Sequence, residues 1–339
     1  MSIRATLRSV IEAGETLSID DARSLMTEIL AGSASELEIA ALAGALAARG
    51  ETAEEIAGFA QAMRAAAVTL PLTDAERESI VDTCGTGGDS AGTFNISTAA
   101  ALVAAAAGAY VAKHGNRAVT SKCGSADVLE ALGVPTSLTP EQAADTLRRH
   151  RFVFLHAPSH HPGMKAVMPV RRALGVRTIF NVIGPLLNPA GARRQVMGVY
   201  SDNLVPLVAE AMKHLDTTHA LVVHGDGGLD EIALSGRSTV AEVQTDHAVH
   251  MSFVTPEDAG VARSPLTALA GGDAATNATL LRAIFQGEPG PRRDVVLLNA
   301  AAVLQVAGLA SNLEQGTALA AATIDAGKVT RLLAELTAH

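Results

Sequence analysis

The chain has 339 residues with 26 Lys plus Arg against 35 Asp plus Glu, a formal charge of −9 that argues against a nucleic-acid or membrane-surface binder working through general positive charge. Hydrophobic residues are 48% and charged residues 18%, a globular composition, and at 339 residues about two domains are expected. Aromatics are only 3% with no Trp, which disfavours a base-stacking platform. The longest apolar stretch, 99–112, contains Gly108 and falls short of the roughly 18 residues of a membrane span. The opening MSIRATLRSVIEAGE does not read as a secretory signal, so a cytoplasmic location with no membrane partner is expected. Two cysteines, Cys84 and Cys123, make neither a disulfide framework nor a zinc pattern and are read as small packing residues.

In chain order, the first seventy or so positions read as helices alone. Leu17, Ala22, Leu25, Met26, Ile29 and Leu30 keep helical spacing, with Ser18 able to cap and Gly32 to terminate. Gly50 closes the next helix, and Thr52 and Glu55 have capping-box spacing ahead of Ile56, Phe59, Ala60 and Met63. The text LPLT at 70–73 breaks the periodicity, and short β-rich runs then alternate with helical ones. Strands are expected at 80–83, 110–113, 152–155, 195–200 and 220–223. Helices are expected at 95–107, 127–132 and 204–215, with another starting at Thr139, Pro140 and Gln142. Such alternation implies an α/β unit with a largely parallel sheet covered by helices on both faces.

Three constellations carry candidate chemistry. DTCGTGGD at 82–89 runs through Gly92 and Thr93 into Asn95, Ile96, Ser97 and Thr98 at a helix start, a layout that suits an anion or serves simply as a tight strand-to-helix turn. It is neither a dinucleotide fingerprint nor a P-loop. KHGNRAVTSKCGSAD at 113–127 places Lys113, Arg117 and Lys122 among hydroxyls and glycines directly after a strand, as a phosphate site or a solvated basic loop. HGDGGLDE at 224–231 ends in Asp230 and Glu231, adjacent carboxylates that can share Mg²⁺ with substrate phosphates or can cap a turn. Two phosphate-friendly loops after neighbouring strands suggest a ligand with phosphates at both ends. His156, His160 and His161 lack a zinc-protease pattern and read as pocket walls, while Arg171, Arg172 and Arg177 offer a guanidinium for a carboxylate or form a solvated face.

Taken together with HPGMKAVMPVRRALGVRTIFNVIGPLLNP at 161–189, these motifs closely resemble the anthranilate phosphoribosyltransferase family, nearly from end to end. The resemblance implies a small all-helical N-terminal domain, 1–72, joined by helices near 164–190, and a large α/β domain, 73–339, with a mostly parallel central sheet flanked by helices. It implies transfer of phosphoribosyl from 5-phosphoribosyl 1-diphosphate to anthranilate with Mg²⁺ in tryptophan biosynthesis, by a homodimer formed through the helical domain, without nucleic acid. By that likeness the phosphoribosyl diphosphate site comprises Gly85, Gly88, Asp89, Thr93, Asn95, Ile96, Ser97, Thr98, Lys113, His114, Gly115, Asn116, Arg117, Ala118, Val119, Thr120, Ser121 and Ser125. Gly85, Asn116 and Arg171 match the anthranilate site, with His114 and His161 as walls, and Ser97, Asp230 and Glu231 match metal ligands. Gly227 and Cys123 depart from the usual family residues. Positioning and electrostatics, with no catalytic triad, are expected to carry the reaction. A pyrimidine nucleoside phosphorylase and a non-enzymatic nucleic-acid-binding relative of the same fold are the alternatives; the −9 charge and the Asp230–Glu231 pair oppose the second.

Overall fold

A computed structural model describes residues 3–89, 91–118 and 122–338. Four helices, Ile3–Glu12, Ile19–Leu30, Glu36–Arg49 and Ala53–Ala65, form the N-terminal unit. Ser18, Ser35 and Thr52 cap the last three through their hydroxyls, and Ser35–Glu38 and Thr52–Glu55 form reciprocal capping boxes. Helices Ile19–Leu30 and Ala53–Ala65 press together at Gly58, where a Cβ would lie 2.7 Å from that of Ala22. Their apolar faces, including Leu25, Met26, Ile29, Ile56, Phe59 and Met63, are almost fully buried, as are Leu42 and Leu46 of the helix between them.

Glu55 has no exposed surface and closes this unit electrostatically. Its carboxylate pairs with Arg49 and accepts from the N–H groups of Leu17 and Thr52, each at 3.0 Å. One acid therefore satisfies the entry to one helix, the cap of another and a partly buried guanidinium. Glu55→Ala is expected to cost about 3 kcal/mol, because truncating one partner of a buried pair leaves the other groups uncompensated. A urea denaturation midpoint unchanged from the parent chain would refute this role.

The rest of the chain is built on a seven-stranded sheet. Its strands are β1 (Ile80–Gly85), β2 (Tyr110–Gly115), β3 (Phe152–His156), β4 (Arg194–Gly198), β5 (His219–His224), β6 (Ser238–Gln244) and β7 (His250–Val254). The spatial order is β3-β2-β1-β4-β5-β6-β7, parallel through β5 and antiparallel for the last two. Side chains alternate between two buried faces. Val81, Val111, Phe152, Phe154, Val196, Leu221 and Val223 point into one core with helices Ile96–Ala107, Pro291–Val306, Leu313–Asp325 and Lys328–Thr337. Met197, Ala220, Val222, Ala241 and Val243 point into the other, under helix Leu204–Lys213, and that core is continuous with the N-terminal helices.

The α/β reading with a mostly parallel sheet is thus borne out, with differences of detail. Strands β1 and β2 run on to Gly85 and Gly115, so each glycine-bearing turn starts inside the sheet. Helix Ser125–Leu132 starts two residues earlier than its apolar spacing suggests, because Asp127 holds the N–H of Gly124 at 2.8 Å. Strands β6 and β7 are additional to the expected set; β7 lies at the sheet edge with Met251 and Phe253 exposed, so it lacks the buried face that makes a strand legible. The Ala-rich tract at 99–105 is helix packing, its residues at most 3% exposed. No helix among the described residues is long and apolar enough to cross a membrane.

The segments Pro162–Ala166 and Met168–Leu174 leave the sheet after β3 and join the core of the N-terminal helices through Val167 and Val170, while Gly163 abuts Leu30. Arg64 ties the two halves from the helical side, donating through Nε to Leu186 O and through Nη1 to Leu215 O, both at 2.7 Å. Burial pulls its guanidinium down to about 10.

Candidate active site

Parallel β1, β2, β4 and β5 all end on one edge of the sheet, and strand order reverses between β1 and β4, which is where open α/β sheets form a crevice. The glycine loop after β1, the basic loop after β2 and the acidic turn after β5 must therefore meet on that edge. Tight steric fits hold them there. A Cβ on Gly85 would overlap the Asp230 carboxylate, and one on Gly198 would overlap the Asp230 carbonyl, so only glycines at the ends of β1 and β4 let the acidic segment lie across both strands.

The acidic turn is closed by reciprocal bonds between Gly225 and Leu229, with Gly227 (φ +77°) and Gly228 (φ +85°) in left-handed conformations. Glycine at 227 thus fits the turn, whatever side chain relatives carry. Asn299, buried in helix Pro291–Val306, clamps the following segment by accepting from Ile232 N–H and donating to Ile232 O, both 2.9 Å. Asp230 Oδ2 accepts from Gly87 N–H at 2.7 Å, and Glu231 Oε1 accepts from Ser97 N–H at 3.0 Å. Removal from water raises both carboxyl groups above the ordinary range; Asp89 adds to this at Asp230, and Asp230 adds to it at Glu231.

Lys113 connects all three loops. It is 1% exposed, and its Nζ donates to Thr83 O and, at 3.2 Å, to Ser97 Oγ, while its charge favours the ionised form of Glu231. Below it lies Asp82, fully buried, accepting from His114 N–H at 3.1 Å. Burial raises the Asp82 carboxyl, opposed chiefly by the Lys113 charge. Asp82 opens the DTCGTGGD motif without being singled out as a candidate, and Asn299 lies outside the three constellations, although a carboxylate inside an apolar strand and an Asn inside an apolar helix are both visible signals.

The remaining predicted residues divide. Asn95 is joined to the crevice wall, donating to Cys123 O at 3.2 Å and accepting from Asn277 Nδ2 at 2.9 Å. Thr93 pairs antiparallel with Ala270. Ile96 and Thr98 are each 1% exposed, so Ile96 turns its side chain into the core and offers a ligand backbone only. Asp89 Oδ1 accepts from Ala91 N–H at 3.1 Å, shaping the loop, and Gly88 has φ +75°.

In the basic loop, Asp127 accepts from the N–H groups of Ala118 and Gly124, and Ser125 Oγ donates to Asn116 O at 3.3 Å, so the loop is drawn closed at its base. Gly115 is needed because a Cβ there would meet Ser125 and Phe154. The Arg117 guanidinium is held by Glu130 and Asp127, with Nη1 at 2.8 Å from Glu130 Oε2. Two carboxylates on the neighbouring helix satisfy its charge. Val119, Thr120 and Ser121 lie outside the described residues.

The rings of His114 and His161 meet edge to face, 5.2 Å between centroids and 70° between planes. Both are buried, and burial pushes His114 well below the usual imidazole range and His161 down to about 4. Among the described residues neither Nε2 has a hydrogen-bond partner. Arg171, half-buried near the end of helix Met168–Leu174, donates no side-chain hydrogen bond to the described residues, and burial lowers its guanidinium. It is a cation in search of an anion. Arg177 is not free, since its Nη2 donates to Gly88 O.

Comparison with known proteins bears on this arrangement. Residues 77–330 match the glycosyl transferase family a/b domain and residues 5–67 the helical bundle domain of the same family. The anthranilate phosphoribosyltransferase of Chloroflexus aggregans is 52% identical over 329 residues, covering 97% of this chain and 95% of that protein. The crystal structure of anthranilate phosphoribosyltransferase from Thermus thermophilus superposes with a TM-score of 0.90 at 44% identity, covering 98% of each chain. The Saccharomyces cerevisiae enzyme in complex with PRPP and Mg superposes with a TM-score of 0.89 at 28% identity, over 99% of this chain and 96% of that one. A crevice of glycine turns, one buried lysine and an acid pair, on a fold shared over almost its whole length with these enzymes, places the chain in the anthranilate phosphoribosyltransferase family.

Proposed function

We propose that this chain transfers the phosphoribosyl group of 5-phosphoribosyl 1-diphosphate to the amine of anthranilate at the crevice between β1 and β4, giving N-(5-phosphoribosyl)anthranilate and diphosphate in tryptophan biosynthesis. The observation that carries the reading is the bonded chain Lys113–Ser97–Glu231, which unites loops from three strands around one edge. The glycine loop, Asn95, Ser97, Lys113 and the 113–125 segment hold the phosphoribosyl diphosphate. Arg171 grips the anthranilate carboxylate, beside Gly85 and Asn116, with neutral His114 and His161 as walls. Their neutrality suits an uncharged aromatic ring and amine.

The donor set fits Mg²⁺. Ser97, Asp230 and Glu231 offer hard oxygens, Asp89 lies beside Asp230, and Glu231 lies in the field of Lys113, a donor set of the kind a divalent cation takes. When bound, Mg²⁺ supplies neutralisation of the departing diphosphate's charge. The chain's own groups do the rest: Lys113 stabilises negative charge growing on the leaving oxygens, and Arg171 aligns the amine with the anomeric carbon. The C–N bond forms as the C–O bond breaks with its electron pair leaving on diphosphate. The proton on nitrogen is acidic only after that bond exists, so no strong base is required.

Residues 1–72 and 73–339 act as two units, with 164–190 docked on the helical one. A homodimer through the helical unit is part of the same reading, supported by Leu37 (83% exposed) and Ile11 (56% exposed) on its helices. The same reading sets the reaction in the cytoplasm. Loss of anthranilate fluorescence in the presence of 5-phosphoribosyl 1-diphosphate and Mg²⁺, abolished by a chelator, tests the assignment. Undiminished fluorescence at every Mg²⁺ concentration would overturn it.

One residue separates the two substrates. Arg171→Ala should raise KM for anthranilate by about 10²-fold through loss of a charge-assisted pair, with KM for 5-phosphoribosyl 1-diphosphate changed by about threefold or less. Equal losses for both substrates in steady-state kinetics would contradict the assignment.

A further inference from the structure

Arg177 is used by nothing in the transfer as described, yet it reaches the tip of the glycine loop. It lies in the exposed turn between helices Met168–Leu174 and Ile179–Val182, and its Nη2 donates to Gly88 O at 2.5 Å across 89 positions of sequence. The same guanidinium covers the Tyr200 ring, 4.3 Å from its centroid. Tyr200 is itself anchored at the loop's base: its N–H donates to Thr86 Oγ1 at 3.1 Å, and Thr86 N–H donates to Gly198 O at 2.9 Å. A single side chain therefore joins the 168–178 segment, the carboxyl end of β4 and the tip of the glycine loop.

The tip has little preference of its own. Gly87 (φ +68°) and Gly88 (φ +75°) are glycines in left-handed conformations, so contacts from outside the loop decide where it stands. Arg171 precedes Arg177 by six residues, and only Gly175 and the turn after it separate the helix bearing one from the other. A charge-assisted bond from a stacked but exposed guanidinium can break and re-form without disturbing the core, which is what a reversible clasp needs.

We propose that Arg177 is a positioning residue that couples the two substrate sites. A carboxylate held by Arg171 steadies the 168–178 segment, and Arg177 passes that restraint to the Gly88 carbonyl, fixing the glycine loop around the diphosphate. This rests on the assignment of Arg171 and the glycine loop to the two substrates made above. The coupling is reciprocal, so phosphoribosyl diphosphate strengthens carboxylate binding by the same factor.

Calorimetry on the full chain with Mg²⁺ and benzoate, which has the carboxylate but no amine and so permits no turnover, provides the test. In the parent chain, saturating benzoate should tighten binding of 5-phosphoribosyl 1-diphosphate by about tenfold. In R177A that gain should fall below about twofold, while the Kd of benzoate measured alone stays within about twofold of the parent value. A purely structural role would weaken both ligands and leave their ratio in place. R177K, which keeps the charge without the planar fork, and Y200L, which removes the stacking face, should each lose most of the coupling, and Y200F should keep it. These variants carry the test if R177A does not fold. Coupling that persists in R177A, or in both R177K and Y200L, overturns the clasp, as does a parent chain that binds both ligands without coupling. A parent chain that binds no 5-phosphoribosyl 1-diphosphate overturns the functional assignment instead.

Discussion

Lys113→Ala should lower kcat/KM for 5-phosphoribosyl 1-diphosphate by about 10²–10³-fold, the scale of losing one preorganised charge aimed at a developing anion. The ammonium is almost fully buried, at the meeting point of Thr83 O, Ser97 Oγ and the Glu231 field, so no solvent cation can take its place at the same distance. The substitution also strips buried Asp82 of the charge that most opposes its desolvation. A drop in thermal stability is therefore expected alongside the kinetic loss. Steady-state kinetics on a variant verified to be folded decide between the two effects. A folded Lys113→Ala chain with kcat/KM within about fivefold of the parent would reduce Lys113 to a packing role.

The second large effect concerns the acid pair. Asp230→Asn and Glu231→Gln should each lower kcat by about 10²-fold at fixed Mg²⁺ and raise the Mg²⁺ concentration needed for half-maximal rate by about tenfold. The substitutions keep shape and the acceptors for Gly87 N–H and Ser97 N–H while removing charge, so the loops should stay in place. The sign follows from the pairwise repulsion of Asp89 with Asp230 and of Asp230 with Glu231, which a divalent cation relieves. An unchanged Mg²⁺ dependence in both variants would remove these residues from the metal site.

Much of this site is visible in the linear text because its parts are local. Caps such as Thr52–Glu55 depend on residues three apart, and the glycines of the 82–89 and 224–231 segments mark turns whose backbone conformations few other residues adopt. Helix–strand alternation announces a parallel sheet, whose topology sends every βα turn to one edge. Other features escape because they depend on burial or on a partner elsewhere in the chain. Arg117 reads as a free cation until Glu130 and Asp127 take it up. Strand β7 is an edge strand with no fully buried residue, so no buried face announces it.

The amino-acid sequence determined by itself the two kinds of building unit and the positions of the turns, since each of these follows from backbone propensity and short-range spacing. Tertiary structure alone decided which groups remain available. Lys113 and Asp82 are both charged residues on apolar strands, yet one reaches Ser97 at the crevice while the other is sealed beneath it. Arg171 and Arg177 belong to one basic run, yet one is left without a partner among the described residues and the other is spent on Gly88. The physical reason is common to both pairs: desolvation and hydrogen-bond partnership are set by what packs against a side chain, and that is fixed only when strands distant in sequence lie side by side.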